Sequence, residues 1–144
     1  MRFKPHLTVA TIVEDSGRFL MVEERQDGRT VLNQPAGHLE ADESLIEAAE
    51  RETLEETGWT VEITSLVGLY LFTARNGITY QRTCFAGRPL AHDAARVLDE
   101  GIIGAHWMTL DQLQNTPTEL RSHLVLDCIR DYLEKPHYPL DLIR

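Results

Sequence analysis

Residues 37–59, GHLEADESLIEAAERETLEETGW, decide how this chain is read. Residues 44–57 are rich in helix formers and contain no Gly or Pro, which predicts a helix. Ser44 and Glu47 have the spacing of a capping box at its start. Gly58 follows its last residue, where a left-handed C-cap is common. Six glutamates fall between residues 43 and 56, and Glu52, Glu55 and Glu56 share an arc of about 100° on the helix surface. Like charges at i, i+3 and i+4 repel by a few tenths of a kcal/mol each. They also sit in the last turns, where the helix dipole disfavours anions by about 0.3–1 kcal/mol. A charge run on a helix is ordinarily a solvated face, but a purely structural helix would place Lys or Arg there. A bound hard cation such as Mg2+, which takes oxygen ligands, resolves the conflict. Arg51 lies just outside the arc and can pair with Glu55 at i+4 or Glu47 at i−4.

Outward from the helix the character changes. Upstream lies Asn33-Gln34-Pro35-Ala36-Gly37-His38-Leu39-Glu40, where Pro35 and Gly37 make a defined loop whose carbonyls can point at a nearby cation, or Gly37 serves only a tight turn. Residues 8–13 and 19–22 are apolar, strand-like runs separated by Asp15-Ser16-Gly17, a hairpin signal. Residues 31–34 are a short extended segment ending at Pro35. Downstream, residues 61–73 and 78–85 read as strands around Arg75-Asn76-Gly77, with Asn-Gly the strongest short hairpin cue. Residues 105–108 are a further strand, residues 109–113 a turn or two of helix, and residues 120–134 carry a helical apolar stripe ended by Pro136. Two good helices among six or seven strands predict an α/β (α+β) fold, a mixed sheet packed between helices.

The whole chain, 1–144, suits one domain with its own core. The 14 basic against 23 acidic residues give a net charge of −9, which argues against a dedicated nucleic-acid-binding protein. A small anionic substrate stays compatible, because bound cations invert the local field. No apolar run approaches the roughly 18–20 residues that span a bilayer, so no membrane partner is expected. Cys84 and Cys128 fit no metal-ligand spacing and read as reduced, buried thiols. No charged segment followed by a long apolar stretch opens the sequence, so a cytoplasmic location is expected. A monomer is expected as well.

Together, Gly37, Glu43, Arg51-Glu52, Glu55-Glu56 and Gly58 resemble the signature of the Nudix hydrolases, with all seven fixed positions matched over 22 residues. Thr53 and Trp59 depart from it, standing where aliphatic residues are usual. The resemblance implies an α/β/α sandwich with the motif as loop–helix–loop. It implies divalent-metal-dependent hydrolysis of a phosphoanhydride, with Mg2+ as cofactor and Mn2+ as a substitute. Carried over by position, Glu52, Glu55, Glu56 and the carbonyl of Ala36 would be metal ligands. Glu43 and Arg51 would orient the helix. Many members use an acidic residue upstream of a Trp-containing strand; Glu100, seven residues before Trp107, is the choice here and Asp99 the fallback. An exposed, merely solvated acid is the ordinary reading of either.

Phe3-Lys4-Pro5-His6, residues 33–43, Leu120-Arg121-Ser122 and Tyr138-Pro139-Leu140 resemble the NudJ-type phosphatase branch of that family. That branch acts on thiamine pyrophosphate, hydroxymethylpyrimidine pyrophosphate and nucleoside di- and triphosphates, releasing terminal phosphate. The expected partner is therefore a small pyrophosphate substrate. Glu55, Glu56 or Glu100 would take the proton from the attacking water. Arg82 and Arg121 are candidates to grip the terminal phosphate; Asn33, Gln34 and His38 flank the metal loop and are candidates to face substrate, though a lone His is more often a solvated or hydrogen-bonded side chain. For both arginines a surface salt bridge is the commoner role. Tyr70, Phe72, Tyr80 and Trp107 read as core in preference to a base-stacking platform. Two rival functions stay open: a pyrophosphohydrolase cutting an internal bond of ADP-ribose, dinucleoside polyphosphates or capped RNA, and a non-catalytic ligand-sensing module of the same family.

Overall fold

Alternation along the strands sets two cores back to back. The computed structural model describes residues 1–144. The first strand, β1 (His6–Asp15), turns Ala10 and Ile12 to one face and Val9 and Val13 to the other, all essentially inaccessible. β2 (Arg18–Gln26) does the same with Phe19 and Met21 against Leu20. A strand buried on both faces needs a layer on each side, and two helices supply them. α1 (Leu45–Thr57) packs Ala48 and Ala49 on the Val9 face. α3 (Leu124–Glu134) packs Leu124, Val125, Cys128 and Ile129 on the Ala10 face. This is the expected α/β/α arrangement.

The remaining elements are β3 (Arg29–Asn33), β4 (Ala36–His38), β5 (Trp59–Thr73), β6 (Thr79–His92), β7 (Ile102–Thr109), α2 (Leu110–Asn115) and β8 (Glu119–Leu120), with a short 3-10 turn at Leu140–Leu142. The sheet runs β5-β6-β1-β2-β3-β8, with β4 on β1 and β7 on β2. It is mixed: β1 with β6 and β3 with β8 are parallel, the other pairs antiparallel. β4 occupies the first half of β1, while β2 meets β1 only at Glu14 and Asp15.

Eight strands replace the expected six or seven. The extra ones, β4 and β8, are three and two residues long and exist only through their partners. The helix expected over 120–134 begins instead at Leu124. Leu120 pairs with Leu32 in a parallel bridge, and the Ser122 hydroxyl accepts the Leu124 N–H as the chain turns into the helix.

α1 has the expected ends. Ser44 and Glu47 form both halves of the capping box, and Gly58 caps the C-terminus at φ +76°. Thr53, the departure from an aliphatic, is fully buried; its hydroxyl donates to the Ala49 carbonyl at 2.7 Å and lies 3.2 Å from the Thr11 hydroxyl, from which it can accept, so it carries no unpaired polar atom. Trp59 stacks on His92 with ring centres 4.7 Å apart. No helix is long and apolar enough to cross a membrane.

Candidate active site

The helix spacing that crowds the glutamates also places them beside one loop. One carboxylate oxygen from each of Glu52, Glu55 and Asp99 lie within 4.8 Å of one another. The Asp99 N–H donates to the Glu55 carbonyl at 3.0 Å, which ties the loop before β7 to the end of α1. Glu100, the expected loop acid, lies outside this group. It is exposed on the turn that Gly101 completes at φ +89°, and Asp99 takes the position beside the glutamates. The donors are all carboxylate oxygens, a set that fits a hard divalent cation and not a thiophilic one.

Glu56, 8% exposed, lies deeper. Its Oε1 accepts the Ala36 N–H at 2.9 Å. Burial pushes its carboxyl up to about 9, against the downward pull of that hydrogen bond. Burial also raises Glu52 and Glu55, and the charge of Asp99 adds to the shift in both. Gly37 explains how Glu52 fits: a Cβ at position 37 would collide with the Glu52 carboxylate. The glycine lets that carboxylate lie directly on the backbone of β4.

Arg51 is enclosed by acids. Nε and Nη2 grip Glu43 bidentately at 2.9 and 2.7 Å, while Nη1 reaches Glu52 at 2.8 Å and Glu55 at 3.3 Å. Nη2 also donates to the His38 carbonyl at 3.1 Å, which joins α1 to β4. Of the two i±4 partners open in the sequence, Glu55 is the one used, since Glu47 is engaged in the capping box.

Glu52 and Glu56 line a pocket of about 900 Å³; Glu55 and Asp99 do not. Register brings Arg82, Thr8 and His38 of its lining into one row across β6, β1 and β4, with Tyr70 of β5 next in the row and packed on the core. Arg82 is only 6% exposed, yet it lines the pocket and makes no ion pair. Its Nη1 donates to Gln34 Oε1 at 3.1 Å and its Nη2 to Asn33 Oδ1 at 3.2 Å; Cys128 Sγ lies 3.8 Å from Nη1. The two oxygen partners are neutral amides, and the Cys128 thiol is lowered to about 7 by its hydrogen bond with Cys84 and by Arg82. A buried guanidinium without a carboxylate is costly unless an anion completes it.

The other candidates separate. Asn33, His38 and Arg121 line the pocket. Arg121 is held by Glu24 at 2.7 Å. His38 stands 3.1 Å from the His6 ring nitrogen, and burial lowers its pKa. Gln34 does not line the pocket: it is 1% exposed and spans Arg82 and the Val125 carbonyl, to which its Nε2 donates at 2.7 Å. It is a support for Arg82, because Pro35 ends β3 with this side chain turned inward. Tyr70 and Trp107 pack against the cores as expected. Phe72 and Tyr80 are half-buried and line the pocket, contrary to their reading as core alone.

The NUDIX domain family pattern matches residues 4–127. A protein named Phosphatase NudJ from Escherichia coli (strain K12) is 39% identical over 141 residues, 98% of this chain and 92% of that one. The structure of a NUDIX hydrolase from Nitrosomonas europaea superposes with a TM-score of 0.95 at 43% identity, covering 98% of this chain and 97% of that one. The NUDIX domain of Shewanella oneidensis NrtR, solved with ADP ribose, shares the fold at a TM-score of 0.73 and 16% identity, covering 92% and 90% of the two chains. The acidic helix with its Gly37 loop, the mixed sheet between helices and these likenesses agree, and the chain belongs to the Nudix family of hydrolases.

Proposed function

We propose that the chain is a Mg2+-dependent phosphatase that removes the terminal phosphate from small pyrophosphorylated molecules. Thiamine pyrophosphate, hydroxymethylpyrimidine pyrophosphate and nucleoside di- and triphosphates are its candidate substrates. One observation carries the reading: a single pocket is lined by Glu52 and Glu56 and by a buried Arg82 that has no carboxylate partner. Cation-binding carboxylates and a guanidinium without a carboxylate partner, lining one space, suit a phosphoanhydride. The name carried by the Escherichia coli relative supports release of phosphate.

Glu52, Glu55 and Glu56 would hold Mg2+, with Asp99 beside the first two and the carbonyl of Ala36 as a further ligand. Mn2+ would substitute. Bound there, the cation supplies charge neutralisation and a more acidic water. Arg82 would bind the terminal phosphate, its orientation fixed by Asn33 and Gln34. Charge-assisted bonds of this kind are the strong ones. Asn33, His38 and Arg121 would face the rest of the substrate. Arg51 would position the ligands, since it touches Glu43, Glu52 and Glu55 at once. Glu55 or Glu56 would accept the proton from the attacking water.

The test is phosphate release with and without Mg2+ from these substrates, ADP-ribose and a dinucleoside polyphosphate. Direct Mg2+-dependent phosphate from the terminally phosphorylated compounds is the expected result. Phosphate that appears only after an added phosphatase would move the cut to an internal bond. Binding without turnover in saturating Mg2+ would make the chain a sensor.

A further inference from the structure

A phosphoanhydride fills only part of the pocket; the rest is lined by two unlike sets of side chains. Phe72 on β5 and Tyr80 on β6 are direct cross-strand partners, and their rings stack with centres 5.5 Å apart at 24°. His123, at the start of α3, meets Phe72 edge-on with centres 5.7 Å apart. All three line the cavity. The β2–β3 turn contributes Gln26, Asp27 and Arg29 to the same lining. The core aromatics behave differently: Phe85 and Phe19 are 0% and 2% exposed and reach no cavity surface. Folding thus leaves two stacked rings open to the pocket, which costs apolar burial unless a ligand covers them.

Register then relates this wall to the phosphate end. Tyr80 lies two residues before Arg82 on the same strand, and Phe72 two residues after Tyr70, the partner of Arg82. Two residues along a strand span about 7 Å. A phosphate on Arg82 and a ring on this wall can therefore belong to one small molecule. Aromatic faces bind planar rings without regard to their hydrogen-bonding edges, and the polar side chains of the same lining can meet those edges.

We propose that Phe72 and Tyr80 form a specificity-determining subsite that takes a planar aromatic ring in the organic part of the substrate. This rests on the reading above only for the position of the phosphate end. It predicts preference for heterocycle-bearing pyrophosphates over aliphatic ones, decided by the β5–β6 arm and not by the carboxylates.

Phe72→Leu and Tyr80→Leu keep apolar bulk and remove the π-face. Steady-state kinetics should be measured with thiamine pyrophosphate, ADP and isopentenyl diphosphate. Titration calorimetry of the same three with Ca2+ in place of Mg2+ reads binding independently of turnover. For the two aromatic compounds each variant should lose about 10-fold or more in binding and in kcat/KM, through KM. Isopentenyl diphosphate should change less than about twofold, since it has no ring to stack. Equal losses for aromatic and aliphatic ligands, no loss in either variant, or no binding of the aromatic ligands to the parent protein would overturn the subsite. A variant that melts early is set aside for the other, whose result decides. If calorimetry shows the ring-selective loss while no phosphate is ever released, the subsite stands and the phosphatase reading falls.

Discussion

Two largely buried arginines, Arg51 and Arg82, stand in opposite surroundings, and only Arg82 lines the pocket. Arg51 meets four carboxylates, those of Glu40, Glu43, Glu52 and Glu55, within 3.5 Å. Arg82 meets none; it rests on two amide oxygens and a thiol. The first charge is already committed to holding the loop before α1 and the helix together. The second is held in place but not neutralised. A guanidinium in the first setting stabilises the fold, and one in the second is ready for an anion.

The largest test of this contrast comes from the acidic side. Glu55→Gln should lower phosphate release on the order of 10³-fold, as loss of a proton acceptor or a cation-holding carboxylate does. Without metal its melting temperature should stay level or rise, because repulsion from Asp99 is relieved. The rise in melting temperature caused by Mg2+ should disappear. A variant that keeps that rise would leave the acidic helix as a solvated face.

The arginines themselves should respond in opposite ways. Arg51→Met strands several carboxylates and should cost about 3 kcal/mol, on the order of 10 °C in melting temperature. Arg82→Met removes an uncompensated charge, so its melting temperature should move by only about 3 °C, while kcat/KM falls about 100-fold with the lost charge-assisted bonds. If Arg82→Met unfolds the protein as Arg51→Met does, the contrast is wrong.

The two poles also differ in how they are written in the chain. The acidic pole is local: Glu52, Glu55 and Glu56 are neighbours through helix geometry, so sequence spacing alone brings them together, and α1 has its expected caps. Asp99 enters through one backbone hydrogen bond to Glu55, and nothing in an exposed loop distinguishes it from Glu100. The Arg82 pole depends on long-range register. Residues 33, 34, 82 and 128 meet only because β6 runs parallel to β1 and α3 lands on that face, which no local pattern encodes. Gln34 is the example: its place in the sequence sets it beside the metal loop, and only the long-range packing turns it onto Arg82 and the Val125 carbonyl. The Phe72–Tyr80 wall is an intermediate case: the Asn76-Gly77 turn fixes that pair as partners, but whether their rings meet core or cavity depends on where α3 starts.

A smaller effect separates the carboxylates by pH. Hydrogen bonds from Arg51 hold the Glu43 carboxyl below the usual range, so its contribution is present above about 4.5 and is lost as pH falls through the lower folded value. Glu56 runs the other way. Its folded value, pushed up to about 9, means that its contribution is full below the ordinary 4.5 and is lost as pH rises toward 9. In the metal-free protein, melting temperature should therefore decline from pH 5 to pH 9. Glu56→Gln keeps an oxygen for the Ala36 N–H and should flatten that decline. An unchanged slope would place its origin elsewhere.

The finest test makes Arg82 resemble Arg51. Asn33 Oδ1 already accepts from Arg82 Nη2 at 3.2 Å, so Asn33→Asp offers an oxygen at the same place and adds a charge. The new carboxylate would compensate the guanidinium from within the fold and compete with a phosphate for it. Melting temperature should hold or rise slightly. KM for a terminally phosphorylated substrate should rise about fivefold with kcat little changed, because only the part of the charge-assisted bond that the carboxylate takes over is lost. Asn33→Ala removes a support without supplying a charge, and should loosen Arg82 without the gain in stability. A matching KM and melting temperature in the two variants would mean that Asn33 acts through shape alone; a difference in the stated direction would mean that the missing carboxylate is what keeps Arg82 available to substrate.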